Sequence, residues 1–218
     1  MSSTRQTTRI AVWDPVVRYG HWALVVAFAV AYLSGDDDEG GVELLHAWSG
    51  YAVGTILAVR VLWGLVGTRY ARFSNFAYGP RAALRYLNDL VRGHARRYIG
   101  HSPAGGAMII ALLVCLAGTV GTGLVVYGDR GKGPLADAGV AVIAQAQAGE
   151  HEGGRQGGSE RSGGLAESAL GELHAMLANI TLLLITFHIL GVVVTSLIHR
   201  ENLVAAMING EKRAGDES

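Results

Sequence analysis

The sequence predicts an all-α integral membrane protein, a four-helix bundle with both termini cytoplasmic. Three observations predict it. Half of the 218 residues are hydrophobic and only 17% are charged, a balance too apolar for an ordinary soluble domain. Four apolar stretches, at residues 16–35, 42–66, 103–127 and 170–198, approach or exceed the roughly 20 residues that a spanning helix needs. Charge between them is segregated. Residues 67–102 hold seven arginines against one acid, Asp89, whereas residues 36–43 hold five acids and no base. Cytoplasmic loops carry the excess of Lys and Arg, so the arginine-rich loop is expected inside, and an even number of spans brings both termini to the same side.

Taken in order, residues 1–12 are expected to form a cytoplasmic tail without an apolar core before Trp13. The first stretch is therefore read as a retained span rather than a cleaved signal. Arg18 and His21 interrupt its start. Residues 13–200 are expected to form one membrane domain. Within the arginine loop, Leu84, Leu87 and Val91 recur at helical spacing and predict a helix over 81–98, either lying on the membrane surface with its arginines near lipid phosphates or serving as a solvated connector. Pro103 suits the first turn of the third span. Residues 128–168 are glycine-rich and predict an external loop, with the apolar run 139–148 too short to cross. Residues 201–218 are expected to be a second cytoplasmic tail, and Arg200, Lys212 and Arg213 agree with that side.

Composition also excludes classes of function. Net charge is zero, so no global field points to nucleic acid. The lone cysteine, Cys115, rules out a disulfide framework, a Cys-rich zinc or iron–sulfur site and covalent C-x-x-C-H haem attachment.

Ionisable residues inside a membrane are costly and mark function. His174 and His188 lie fourteen residues apart on one stretch. Fourteen steps of about 100° come within about 40° of four turns, so both imidazoles share a face about 21 Å apart. Counting depth from the external side matches His46 with His174. Counting from the cytoplasmic side matches His21 with His188, with several ångströms left for tilt. Interhelical hydrogen bonding is the plain reading of one such histidine. Four in two depth-matched pairs favour bis-histidine ligation of haem iron, which fills both axial positions and suits electron transfer. A proton relay would add buried carboxylates, and zinc would want ligands converging at one depth. His199 shares the His188 face but lies at the basic boundary and is read as interfacial. His94, His101 and His151 are read as surface residues. Arg60, fourteen residues after His46, and Arg18, three before His21, are candidates to pair with haem propionates; snorkelling to the interface explains Arg60 equally well.

The segments WDPVVRYGHW, LLHAWSGYAVG, RVLWGLVGTRYARF and HAMLANITLLLITFH, spread between Trp13 and Ile198, resemble the bacterial cytochrome b561 family, which includes the b-type cytochrome subunits of nickel–iron hydrogenases. The resemblance implies four transmembrane helices and two b haems (protohaem IX) held by histidines of the first, second and fourth helices. Carried over, it implies His21, His46, His174 and His188 as axial ligands. It further implies electron transfer between quinone, the expected substrate, and a partner such as a periplasmic cytochrome or oxidoreductase subunit, in a bacterial inner membrane. The long glycine-rich loop departs from the pattern. Two other functions stay open at this point: a self-sufficient quinone-linked oxidoreductase acting on a small molecule such as superoxide, and a non-haem membrane anchor or metal transporter.

Overall fold

A computed structural model describes residues 9–35, 40–136 and 159–214. Helices dominate it, and the caps follow from sequence. Helix α1 (Pro15–Leu33) begins where the Asp14 carboxylate accepts the Val17 N–H at 3.0 Å, with proline in the first turn. Helix α2 covers Gly40–Val66, and the short amphipathic α3 covers Pro80–Val91. Helix α4 (Pro103–Asp129) repeats the α1 device, with Ser102 Oγ accepting the Gly105 N–H at 3.2 Å. Helix α5 runs over Ser159–Ile198 and α6 over Leu203–Asn209. Four of them are long and apolar enough to cross a membrane, over Pro15–Leu33, Gly41–Val66, Pro103–Asp129 and Ala169–Ile198. The all-α membrane bundle is thus the architecture of the chain.

Hydrocarbon offers no partner to polar groups, so hydroxyls within the spans must be satisfied locally. Ser49 donates to Leu45 O, Thr119 to Cys115 O and Thr181 to Leu177 O, each at 2.8–2.9 Å. The side chains left outward are apolar: Leu33, Val66 and Leu197 are each more than 70% exposed, as lipid-facing residues should be.

The spans pack as two pairs, α1 with α2 and α4 with α5, joined by a lesser contact between α2 and α4. Ala27, Val53, Leu57 and Leu116 form the buried centre. No comparable packing joins α1 to α5, although Tyr32 donates to Asn179 Oδ1 across them at 2.7 Å. The bundle is therefore open along the side that carries the histidines.

At the arginine-rich face the two ends of the chain meet. Strand β1 (Arg9–Ala11) pairs antiparallel with β2 (Glu211–Arg213), placing Ile10 opposite Lys212. Val12 and Trp13 donate their N–H groups to Gly210 O at 2.8 and 3.1 Å. Glu201 accepts from Arg97 at 2.8 Å and lies 3.6 Å from the buried Lys212 ammonium, which donates to Tyr98 O at 3.1 Å. Burial would raise the Glu201 carboxyl pKa, but the Arg97 hydrogen bond and the neighbouring charges of Lys212 and Arg97 outweigh it and hold the group below the ordinary range. At the opposite face Lys132 bridges both oxygens of Glu43 at 2.7–2.8 Å, tying the end of α4 to the start of α2.

Several local expectations need correction. The helix expected over 81–98 stops at Val91, because Gly93 takes a left-handed conformation (φ 72°) and Gly93 and His94 turn back to Leu90 O and Asp89 O. The expected loop over 128–168 is shorter at both ends, with α4 reaching Asp129 and α5 starting at Ser159. Glycines disfavour a helix by about 1 kcal/mol each, yet the long apolar span anchors the helix that continues through Gly163 and Gly164. The run 139–148 and His151 lie outside the described residues. The two expected tails are tied together in the terminal sheet, through pairings too distant in sequence for local periodicity to reveal.

Candidate cofactor site between facing histidines

On the acidic side of the membrane, His46 of α2 and His174 of α5 face each other with ring centroids 6.0 Å apart. Each ring is oriented by a backbone carbonyl. His46 Nδ1 lies 2.8 Å from Ala31 O, in the last turn of α1, where carbonyls lack intrahelical partners. His174 Nδ1 lies 2.9 Å from Thr119 O and 3.2 Å from Thr122 Oγ1, both on α4. A carbonyl only accepts, so in both rings the Nδ1 atom carries the proton and donates. The lone pair is left on Nε2, the tautomer a metal-binding imidazole needs. Space for the His174 ring comes from Gly123: a Cβ there would stand 2.9 Å from His174 Cε1.

Nearer the arginine-rich face, His21 of α1 and His188 of α5 form a second facing pair, with centroids 6.4 Å apart. Among the described residues no backbone carbonyl orients these rings in the same way. His21 Nδ1 is buried without a hydrogen-bond partner, and the Trp22 ring meets His21 edge-on at 5.2 Å. The four histidines stand in two layers. Among the described residues no group of three His, Cys, Asp or Glu converges as a metal cluster would.

A metal bridging two imidazoles sets their separation. Two metal–nitrogen bonds of about 2.0 Å and a ring radius of roughly 1.1 Å on each side put the centroids about 6 Å apart. Both pairs have that width, His46–His174 between α2 and α5 and His21–His188 between α1 and α5, and the donors are the neutral nitrogen ligands that haem iron accepts. The residues present therefore fit a bis-histidine haem at each level.

The two arginines behave differently. Arg60 is half-buried, donating to Ala71 O at 3.3 Å, with its guanidinium 5.4 and 5.9 Å from the Phe73 and Phe76 ring centres. Arg18 donates to Ile208 O, and its Nε is buried without a partner. Neither forms an ion pair with a carboxylate among the described residues.

His101 was missed as an interior residue. It had been expected at the surface, as part of a polar loop. Its ring lies instead 4.5 Å from both Trp13 and Phe76, with Nδ1 buried and unpartnered. Burial, reinforced by the charges of Arg60, Lys212 and His188, lowers its pKa to about 3, so it is neutral at physiological pH. The available signal was its place two residues before Pro103, where the loop must dock on the span. His94 is exposed as expected. His199 is half-buried, with Nε2 unpartnered and its pKa lowered by burial and by Arg97.

Compared with known proteins, residues 12–210 match the family model described as prokaryotic cytochrome b561. No curated protein and no solved structure gives a match.

Proposed function

The chain belongs to the prokaryotic cytochrome b561 family, and on that premise we propose that it carries electrons between the quinone pool and a periplasmic redox partner through two stacked b haems. Family membership and the four apolar helices make it a multi-pass membrane b-type cytochrome of electron transfer. The finer reading is ours. It assigns His46 and His174 to the outer haem, His21 and His188 to the inner one, the arginine-rich face to the cytoplasm, and the chain to the inner membrane.

The observation that carries this reading is the pair of facing imidazoles at each level, 6.0 and 6.4 Å between centroids. A haem held between the two imidazoles of each pair would supply one-electron transfer chemistry. The residues of the chain do the rest. Ala31 O and Thr119 O hold the outer rings in one tautomer and raise their basicity by accepting the Nδ1–H bonds. Arg60 and Arg18, in no ion pair with a carboxylate among the described residues, suit the propionates of the inner site.

Pyridine haemochrome analysis of the purified full chain tests the count. Two protohaems per chain are expected, and His174→Ala should leave one while His188→Ala leaves the other. A single haem in the unmodified protein, or loss of both haems from each variant while it remains folded and inserted, refutes the two-level assignment. Reduction by quinol in proteoliposomes tests the substrate; absence of turnover without an added redox protein separates this reading from a self-sufficient oxidoreductase.

A further inference from the structure

The arginine-rich face holds a built cavity apart from the paired histidines. Its volume is about 140 Å³, and Arg69, Tyr70, Asn75, Tyr78, Tyr98 and His101 are in its wall. That is several times the roughly 30 Å³ share of one water, room for a tetrahedral anion with its first attached groups. We propose that this cavity binds the phosphate headgroup of an anionic phospholipid from the leaflet on that side.

Charge is the first reason. The wall includes Arg69 and no acidic residue. Arg69 lies 5.8 Å from the Tyr70 ring centre and forms no ion pair among the described residues. Its planar fork of N–H donors matches phosphate oxygens. The loop that builds the cavity, residues 67–102, holds seven arginines against Asp89 alone.

Donor supply is the second. The hydroxyls of Tyr70, Tyr78 and Tyr98 in the wall can donate to phosphate oxygens. The cavity is held in shape by Asn75, which donates to Arg69 O, and by the Trp13 and Phe76 rings on either side of His101.

Depth is the third, and it selects a lipid. The cavity lies between Val66, where α2 ends, and Pro103, where α4 begins, the level at which spanning helices meet headgroups. Beside it α3 buries Ala83 and Tyr86 against the protein while Leu84, Leu87 and Val91 are 67, 46 and 88% exposed. An apolar stripe of that kind, flanked by Arg81 and Arg85, lies in the headgroup boundary of a bilayer. The phosphate nearest to Arg69 is then a lipid's.

Native mass spectrometry of the detergent-purified full chain tests this, with separate additions of phosphatidylglycerol, phosphatidylcholine and inorganic phosphate. One phosphatidylglycerol per chain should survive activation that strips phosphatidylcholine. Arg69→Gln should lower that occupancy at least fivefold and Tyr98→Phe, which deletes one hydroxyl and keeps the ring, should lower it less. Arg92→Gln, on the exposed end of α3, should leave it unchanged. Absorbance of the bound haem reports that each variant is folded. Equal retention of the two lipids, or occupancy unaffected by both wall substitutions, overturns the proposal. Retention of inorganic phosphate in place of lipid assigns the cavity to a soluble anion and overturns the lipid assignment.

Discussion

With one haem at each histidine level, as proposed, replacing Gly123 by alanine should disturb one level and spare the other. The new Cβ would stand 2.9 Å from His174 Cε1 and 3.2 Å from Nδ1, closer than carbon atoms tolerate. The ring cannot simply swing away, because its Nδ1–H is held 2.9 Å from Thr119 O on the same helix as the substitution. Either α4 moves off α5 or the Nδ1 bond stretches. Overpacking of this kind costs about 1–3 kcal/mol, and the weakened hydrogen bond falls within that range. The chain should still fold. A histidine that loses its carbonyl partner is a less basic ligand, and a less basic ligand favours the reduced iron. With about 59 mV per tenfold change for one electron, the outer potential should rise by tens of millivolts, roughly 130 mV at most. Optical redox titration of the purified variant reads this as a shift in one of two Nernst components. Two unshifted components with full haem content would show that Gly123 does not shape a haem ligand, and the outer assignment would fall with it.

Further outcomes follow from the inner level and its cap. Arg60→Leu should lower the inner midpoint by an amount on the order of 50 mV, because a positive charge without a carboxylate partner favours the reduced state; unchanged midpoints at both levels would favour a role limited to packing against Phe73 and Phe76. His101→Phe should flatten the dependence of thermal stability on pH between about 7.5 and 5. The unfolded chain takes up a proton on His101 as pH falls through its ordinary value of 6.5, whereas the folded chain does so only near 3, so wild-type stability declines across that window. Melting curves of the variant with the same pH slope as wild type would contradict the burial of His101.

Much of the bundle was legible because a bilayer narrows the choices. Residues 103–127, uncharged, and 170–198, charged only at Glu172 near its edge, had to be helices once they were long and apolar, since open backbone does not survive in lipid. Facing of the histidine rings was legible too, because depth along a helix is fixed by 1.5 Å per residue. Where local composition was the only guide, it misled. Gly163 and Gly164 suggested loop, yet α5 extends through them. His101 sat in a run of polar and basic residues, and nothing in that run showed that Trp13, eighty-eight positions earlier, would cover its ring.

The two levels differed in legibility for one physical reason. Partners of the outer rings belong to the spans themselves: Ala31 O ends α1 and Thr119 O lies one turn from Gly123 on α4. Pairing of spans therefore brings the ring partners with it. At the arginine-rich end of the bundle the side-chain contacts come from outside the spans. Arg18 reaches Ile208 O, Arg97 reaches Glu201 and Arg213 O, and Lys212 reaches Tyr98 O, each across more than a hundred positions. Helical periodicity carries no information about such pairs. The arginine-rich end beside the inner level consequently depends on the loop and the two terminal strands folding onto each other. Changes in 201–213 should act on it through Arg18 and His101 while the carbonyl-held outer pair stays insulated by the width of the bundle core around Ala27, Val53 and Leu116.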